Sequence, residues 1–524
     1  MSGTIFNSTE NQSGKPRKCG VLLPIFSLPD AYGIGTIGAV AREFIGYLAS
    51  AGVKVWQILP LLPTSYGDSP YQSVCSYALN YYFIDLQLLK EEGLFTQSEL
   101  NDYAAENGYT SENSRIDYEK LFRTRVPLLK KAFSRFASEE YLAAHRAEAQ
   151  NFAAFLKKGE YYDFALFMSL KTHFSYHPWQ EWGEYAQYSE EKAEKFAAEH
   201  AEEIRFWQFT QYEFLKQWAE IRKCAENFGV ELLGDMPIYV SGDSVEMWKY
   251  GKSLFETDEN GRQTQKAGVP PDAFSADGQL WGNPVYRWDE MKKNGYRWWK
   301  ERIRKALGLF DAVRIDHFRG FDRYFSVPQN AQTAREGEWK DGPKEALFED
   351  MKNLPIVAED LGVIDEGVLR LMKNVGYPGM RVLEFAFDGN ADNTNKPSNS
   401  LENSVAYTGT HDNPPFAAYV RSLPEWEKQR FVHDFRGECK KFGVDSAAVT
   451  PEEYCAEAVR LAFASPSYLC VAPLHDLLAL GEEARINAPS TLSTKNWSFR
   501  YPKAQLLSTE VKETLLRLMS EYRR

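Results

Sequence analysis

DAVRIDHFRG, residues 311 to 320, passes from hydrocarbon to charge within ten positions. Ala312, Val313 and Ile315 form a short apolar run with β-branched residues, introduced by Gly308 and Leu309, and this suits a buried strand. Where that strand would end, Arg314, Asp316, His317 and Arg319 crowd four polar side chains into six positions. A core strand has no need of them. Charges at the C-terminal end of a buried strand face a cleft above a parallel sheet or barrel. An Asp–Arg pair that merely caps a strand is the other reading these residues allow.

Seven more short apolar runs flank this one. Cys19–Phe26, Val53–Leu59 and Val230–Leu233 precede it, and Pro355–Ala358, Met380–Phe385, Ser404–Tyr407 and Tyr468–Ala472 follow. Helical patterns separate most of them. Between the first two, Ala39–Ala51 carries apolar residues at 41, 44, 45 and 48, with Gly52 placed to end a helix in the left-handed conformation. Parallel strands need crossover connections, so eight such runs predict an α/β fold, a (β/α)8 TIM barrel with large, mainly helical insertions, in preference to an open sheet. Gly33, Gly35 and Gly38 are spaced GxGxxG, but the acidic residue a dinucleotide fold places after its next strand does not follow. They read as turn glycines.

The insertions differ in character. Residues 80–229 are rich in Glu, Lys, Ala and aromatics, and 204–228 places Ile204, Trp207, Phe214, Trp218, Ile221 and Phe228 at helical spacings. This connection is too long for a loop and predicts a helical insertion subdomain. Within it, Tyr176–Tyr188 (YHPWQEWGEYAQY) reads as packing of the insertion or as an aromatic wall. The loop Pro60–Leu79, with TSYGDSPYQ, lies over a strand end where binding residues gather. Val240–Tyr286, dense in Gly, Pro and Asp, is expected to be a lid or groove loop without regular structure, exposing Trp281 and Tyr286. The expected organisation is therefore 19–79 as the first part of the barrel, 80–229 as the helical insertion, 230–500 as the remaining barrel with its groove loop near 250–286, and 501–524 as a C-terminal helix.

Composition narrows the partners. The 524 residues include 13 Trp, 29 Tyr and 33 Phe, with a mean hydropathy of −0.47, so many rings must line surfaces or grooves suited to stacking on sugars or bases. A net charge of −12 disfavours nucleic acid and anionic membrane, which both bind cationic surface. Six scattered cysteines without CxxC fit reduced thiols, the first eighteen residues lack the apolar core of a signal peptide, and no stretch approaches eighteen uninterrupted apolar residues. The expectation is a cytoplasmic protein with a neutral ligand and no membrane.

Three acids occupy equivalent places: Asp316 after strand four, Glu359 after strand five and Asp412 after strand seven. In a barrel these converge on one mouth. Cleaving a glycosidic bond with retention needs one carboxylate to attack the anomeric carbon and a second, about 5 Å away, to protonate the leaving oxygen. Arg314 beside Asp316 would keep that group ionised, and crowding by a third acid would keep Glu359 protonated. Salt-bridge partners or helix caps remain an alternative for these acids. A divalent-metal site is another, disfavoured because no HxH pair occurs and His317 and His411 each adjoin one of the acids.

RIDHFRG, AEDLG and GTHDN, in that order, resemble the α-amylase-type retaining barrels. More narrowly, GDSPYQ (67–72), GDMPIYV (234–240) and PPDAFSADGQLWGNPVY (270–286) resemble the 4-α-glucanotransferase family, also called amylomaltase or disproportionating enzyme, over about 19–500. The resemblance implies Asp316 as nucleophile, Glu359 as acid/base and Asp412 as a transition-state carboxylate. It further implies Ser69, Tyr71, Asp235, Arg314, His317, His411 and Asn487 as residues around the bound sugar and Trp281 on the acceptor side, with no cofactor and no metal. Maltooligosaccharides and other α-1,4-glucans would be the substrates. Two departures stand out: the family's usual NxPGT is Asn487-Ala-Pro-Ser490-Thr491 here, and Pro414-Pro415 follow His411-Asp412-Asn413 where a more polar pair is common. The expected activity is transfer of glucan segments through a covalent glucosyl-enzyme; a glucan hydrolase and a noncatalytic glucan-binding scaffold are the alternatives.

Overall fold

The computed structural model describes residues 16–65, 67–271, 276–362 and 364–524. The rest of the polar leader, Tyr66 and positions 272–275 of the expected groove loop lie outside the described residues. Strands among those described are β1 (Lys18–Leu22), β2 (Val55–Gln57), β3 (Glu231–Met236), β4 (Gln265–Val269), β5 (Gln279–Pro284), β6 (Ala312–Ile315), β7 (Arg323–Pro328), β8 (Glu338–Asp341), β9 (Ile356–Ala358), β10 (Gly379–Val382), β11 (Ser404–Tyr407) and β12 (Leu469–Pro473). Eight of these, β1-β2-β3-β6-β9-β10-β11-β12, close into one parallel barrel, with β12 pairing back onto β1. They are the eight apolar runs expected from the sequence. The first is shorter than expected because Pro24 leads into a 3₁₀ turn at Ile25–Ser27. The third is longer: Gly234, Asp235 and Met236 continue β3, which sets Asp235 directly beside Arg314 in the β3–β6 register.

Helix Ala39–Ser50 buries Ala41, Phe44, Ile45 and Leu48, and the Phe44 ring meets Trp56 of β2 edge-on at 5.1 Å. Gly52 ends it at φ +77°. Gly33 turns the preceding loop at φ +99°, and a side chain at Gly38 would collide with the Asp85 carboxylate. Asp85 accepts from the Thr36 hydroxyl at 2.8 Å and caps the helix Leu86–Glu91 through Leu88 N, so this glycine cluster serves a turn and its packing.

From Leu86 to Phe228 the chain between β2 and β3 is helical, ending in Ala201–Phe228, which packs on helix Ala39–Ser50 and on β3. The tryptophans of the aromatic segment are packing: Trp179 and Trp182 are buried, and Trp182 lies parallel to Phe174 at 5.8 Å and edge-on to Trp248, whereas Tyr176 at its start lines a cavity. No helix among the described residues is long and apolar enough to cross a membrane.

The expectation that Val240–Tyr286 lacks regular structure is corrected. It holds the helix Val245–Leu254 and the strands β4 and β5, which join β7 and β8 in an antiparallel sheet ordered β5-β4-β7-β8. β4 pairs with β5 inside the segment, but its other neighbour, β7, lies some sixty residues further on, as in the pairing of Lys266 with Val327, and the local Gly/Pro-rich pattern carried no trace of it. Tyr286 is buried rather than exposed; its hydroxyl donates to Ile238 O at 2.7 Å and its ring stacks on Tyr239.

Candidate active site

At the C-terminal ends of the barrel strands lies a cavity of about 650 Å³. Asp316, Glu359 and Asp412 all line it, together with Ser69, Tyr71, Trp281, His317, His411 and Asn487. Asp235 and Arg314 sit just behind that lining. The structure thus brings together all eleven residues singled out from the sequence.

A chain of contacts organises the floor. The Tyr71 hydroxyl donates to Asp235 Oδ2 at 2.7 Å, Arg314 Nη1 lies 2.8 Å from both Asp235 oxygens, and Arg314 Nη2 donates to Asp316 Oδ1 at 3.0 Å. Arg314 lies within β6, where its guanidinium is buried, and the paired carboxylates hold its charge firmly. Ser69 Oγ accepts from Tyr71 N, tying the 67–72 loop into a turn under the Tyr71 ring. That ring stacks on His411 at 5.0 Å, 13° from parallel.

Asp316 and Glu359 are joined through the backbone. His317 N donates to Glu359 Oε2 and Leu361 N to Oε1, each at 2.7 Å. His317 aims its amide this way from a left-handed conformation, φ +46°, at a cost of about 1–2 kcal/mol for a non-glycine residue. Burial pushes Asp316 up to about 8, with Arg314 opposing it and the Glu359 charge adding to it. Burial also raises Glu359, against the pull of Arg314 and the two amides. Burial, rather than the crowding of a third acid, is thus the main force on Glu359. Arg314 contacts Asp316 directly and so favours the negative charge there over Glu359. Burial keeps both histidines neutral, pushing His317 down to about 3 and lowering His411.

Asp412 is held from the opposite side. Asn487 Nδ2 donates to Asp412 Oδ1 at 2.7 Å, His411 Nε2 lies 3.4 Å from Oδ2, and Asn487 N donates to His411 O. Its side chain remains 44% exposed, so it reaches into the cavity as an acceptor for hydroxyls. Trp281 stands edge-on to His317 at 4.8 Å. Sequence reasoning missed Trp497, which walls the cavity at 5.7 Å from Tyr71 and 5.9 Å from His411. It also missed Gln72 and Asn283, whose amides exchange hydrogen bonds at 3.0 and 3.2 Å and lock the 67–72 loop to β5. Gln72 was legible inside the quoted GDSPYQ stretch; nothing local marked Trp497.

A second cavity, about 920 Å³, shares Gly67 and Leu492 with the first and is lined by Tyr81, Tyr82, Tyr118, Phe122 and Tyr176. The Tyr118 hydroxyl donates to Trp497 O at 2.9 Å, so the two cavities have a common wall. Among the described residues, the acids outside this cavity that stand close enough together to hold a metal ion already have a cation. Glu92, Glu148 and Glu213 cluster, but around the Lys216 ammonium at 2.7–2.9 Å. The four-apart histidines His173 and His177 lie in the helical insertion, where His177 Nδ1 meets Glu181 at 2.8 Å and His173 packs edge-on against Phe196 and His200.

The sequence matches the family model described as 4-alpha-glucanotransferase over residues 23–506. It is 41% identical to the 4-alpha-glucanotransferase of Streptococcus pneumoniae over 516 residues, covering 97% of this chain and 98% of that one. Against the 4-alpha-glucanotransferase of Thermus thermophilus it is 42% identical, covering 94% and 96%. Among solved structures, the amylomaltase from Streptococcus agalactiae in complex with acarbose superposes with a TM-score of 0.88 at 36% identity, covering 97% of this chain and 99% of that one.

Proposed function

The chain belongs to the 4-alpha-glucanotransferase family, and from that premise we propose how this cavity moves α-1,4-glucan segments from a donor to an acceptor. The protein is a transglycosylase of α-1,4-glucans. Maltooligosaccharides are its donors and acceptors, and the eighty to 229 segment acts as a subdomain that forms the outer wall of the glucan groove.

The observation that carries the reading is the asymmetry between two neighbouring carboxyls, one touching Arg314 and the other touching only backbone amides. Asp316 Oδ attacks C1 of the donor glucosyl unit as the bond from C1 to the leaving O4 breaks. Glu359 delivers its proton to that oxygen, freeing the reducing-end fragment. The product of this half-reaction is a β-glucosyl ester on Asp316. An acceptor O4–H then attacks C1, Glu359 takes its proton, and the Asp316 carboxylate is released. Asp412 accepts from sugar hydroxyls, and those bonds strengthen as charge develops at C1.

Transfer exceeds hydrolysis only when an acceptor hydroxyl outcompetes water for the ester. The aromatic walls at Trp281 and Trp497 supply stacking surface and exclude water. Incubation with maltotriose tests this: glucose and longer oligosaccharides should accumulate with the number of reducing ends constant. Loss of maltotriose matched by new reducing ends would make the protein a hydrolase. The six free thiols, five of them buried, suit a reducing, cytoplasmic compartment.

A further inference from the structure

The turn that presents His411 and Asp412 runs from the end of β11 at Tyr407 to the helix Phe416–Ser422. Both ends of it are held by one side chain from the segment that follows another strand. The Thr408 hydroxyl donates to Asp476 Oδ2, and Phe416 N donates to Asp476 Oδ1 at 2.8 Å. Asp476 follows β12, so the eighth barrel strand fastens the turn built on the seventh.

Within the turn a second set of bonds reaches Asp412. Asn413 Oδ1 accepts from Thr410 N at 2.9 Å and from its hydroxyl at 2.8 Å, and Thr410 Oγ1 in turn accepts from Asp412 N at 3.3 Å. The Asn413 side chain also bonds Glu384, from the end of the sixth strand. Gly409 threads between the Glu384 and Asp476 carboxyls: a Cβ there would stand 3.5 and 3.8 Å from their oxygens.

Asp476 is buried, its side chain fully so, and among the described residues no guanidinium or ammonium pairs with it. Its neighbours are His475, whose Nε2 is 3.8 Å from Oδ1 and which burial keeps neutral, the Cys455 thiol, and Glu384. Burying a carboxylate costs several kcal/mol unless hydrogen bonds compensate. Its two close donors both belong to the turn.

Building on the role given to Asp412 above, we propose that Asp476 is a positioning residue for the transfer reaction, setting the height and angle at which Asp412 meets the sugar through its grip on Thr408 and Phe416. It touches no substrate. Its effect therefore passes through Asp412 and falls on kcat.

The test measures kcat and KM for Asp476→Ala, Asp476→Asn and Thr408→Val, each in the native background and in an Asp412→Asn background. An activated donor, an α-maltosyl fluoride, keeps the slow background measurable. Misplacing a catalytic group by about 1 Å costs on the order of 10²-fold. Asp476→Ala should therefore lose about 10- to 100-fold in kcat with KM within about twofold, and Thr408→Val about fivefold. Asp476→Asn, which keeps one oxygen for Phe416 N, should recover most of the Asp476→Ala loss. In the Asp412→Asn background all three losses should shrink to less than about twofold, since coupled residues are non-additive. Unchanged kcat in Thr408→Val, or equal losses in both backgrounds, would overturn the proposal. Should Asp476→Ala not fold, Thr408→Val carries the test alone. Native turnover in Asp412→Asn by itself would instead refute the role of Asp412, which keeps the two failures apart.

Discussion

Arg314 Nη2 lies 3.0 Å from Asp316 Oδ1, and this contact separates the chemistry of Asp316 from that of Glu359. Both carboxyls are raised by burial, and Arg314 is the main force lowering each of them. The direct hydrogen bond goes to Asp316, while the other end of the guanidinium is fixed by both oxygens of Asp235. The cation cannot swing to serve Glu359 without abandoning Asp235.

Arg314→Lys should shift the acid limb of the pH profile. A nucleophile must be ionised, and Asp316 is already pushed up to about 8 with the guanidinium in place. A lysine ammonium cannot keep the fork to Asp235 and also reach Asp316, so the carboxylate loses stabilisation and its pKa rises. The acid limb of kcat/KM should move to higher pH by about one unit, equivalent to about 1.4 kcal/mol. A profile measured with maltotriose from pH 5 to 10 decides it, and a limb that stays in place would mean that Arg314 does not set the charge on Asp316.

Asp316→Asn should abolish transfer and raise thermal stability at alkaline pH. The folded-state pKa of Asp316 lies above its unfolded value, so its favourable contribution is complete below the unfolded value near 4 and is lost as pH rises through about 8. The asparagine carries no such penalty, and its oxygen still accepts from Arg314. The variant should gain about 1–3 °C over the native protein at pH 9, with the gap closing toward pH 4. Paired melting curves across that range check the sign; a gap that widens on acidification would contradict it.

Legibility in the sequence followed burial. β6, β9, β11 and β12 are buried at every residue, so they read as short, mostly apolar runs, and the polar residues that close β6, β9 and β11 point to a cleft. β4 and β5 were hidden because they lie in a half-exposed sheet with glycines at 268 and 282 and a bulge between Lys266 and Gly268. Asp235 was visible through its motif, yet only the parallel register places it against Arg314. Trp497 lies at φ +59° in a stretch without periodicity, so no pattern pointed to it. Ser490 is different: the serine that stands where the family's usual motif has glycine holds φ +62°, a left-handed conformation that glycine adopts at lower cost. Asp476 sits in a run, PLHDLLAL, that reads as an ordinary short helix, and its hold on Thr408 and Phe416 depends entirely on the barrel.

Phe122→Ala should weaken long substrates selectively. Phe122 is 44% exposed in the groove beside the main cavity and meets Tyr176 edge-on at 4.8 Å, so its removal leaves the fold largely untouched. A glucan long enough to leave the main cavity past Gly67 and Leu492 would cross this ring. Losing one aromatic contact of about 0.5–1.5 kcal/mol should raise KM for long amylose about two- to tenfold, with maltotriose unaffected. Michaelis curves on the two substrates check it. Equal changes for both would detach the groove from the glucan path.

Trp281→Ala should shift the fate of the glucosyl ester from transfer toward hydrolysis. The ring lines the cavity and stands edge-on to His317, the residue after the nucleophile, while its backbone oxygen accepts a 3.4 Å bond from Gln72. That places apolar surface beside the ester, where an acceptor sugar must displace water. Truncation removes stacking on the acceptor and opens the cavity to solvent, and both effects favour water. With a stacking contribution of about 0.5–1.5 kcal/mol, the ratio of new reducing ends to glucose released should rise about two- to tenfold. Formation of the ester depends on Asp316 and Glu359, so total donor consumption should fall much less than that ratio rises. Parallel assays of glucose and reducing ends from maltotriose separate the two quantities. An unchanged ratio with slower consumption would instead place Trp281 on the donor side of the bond that breaks.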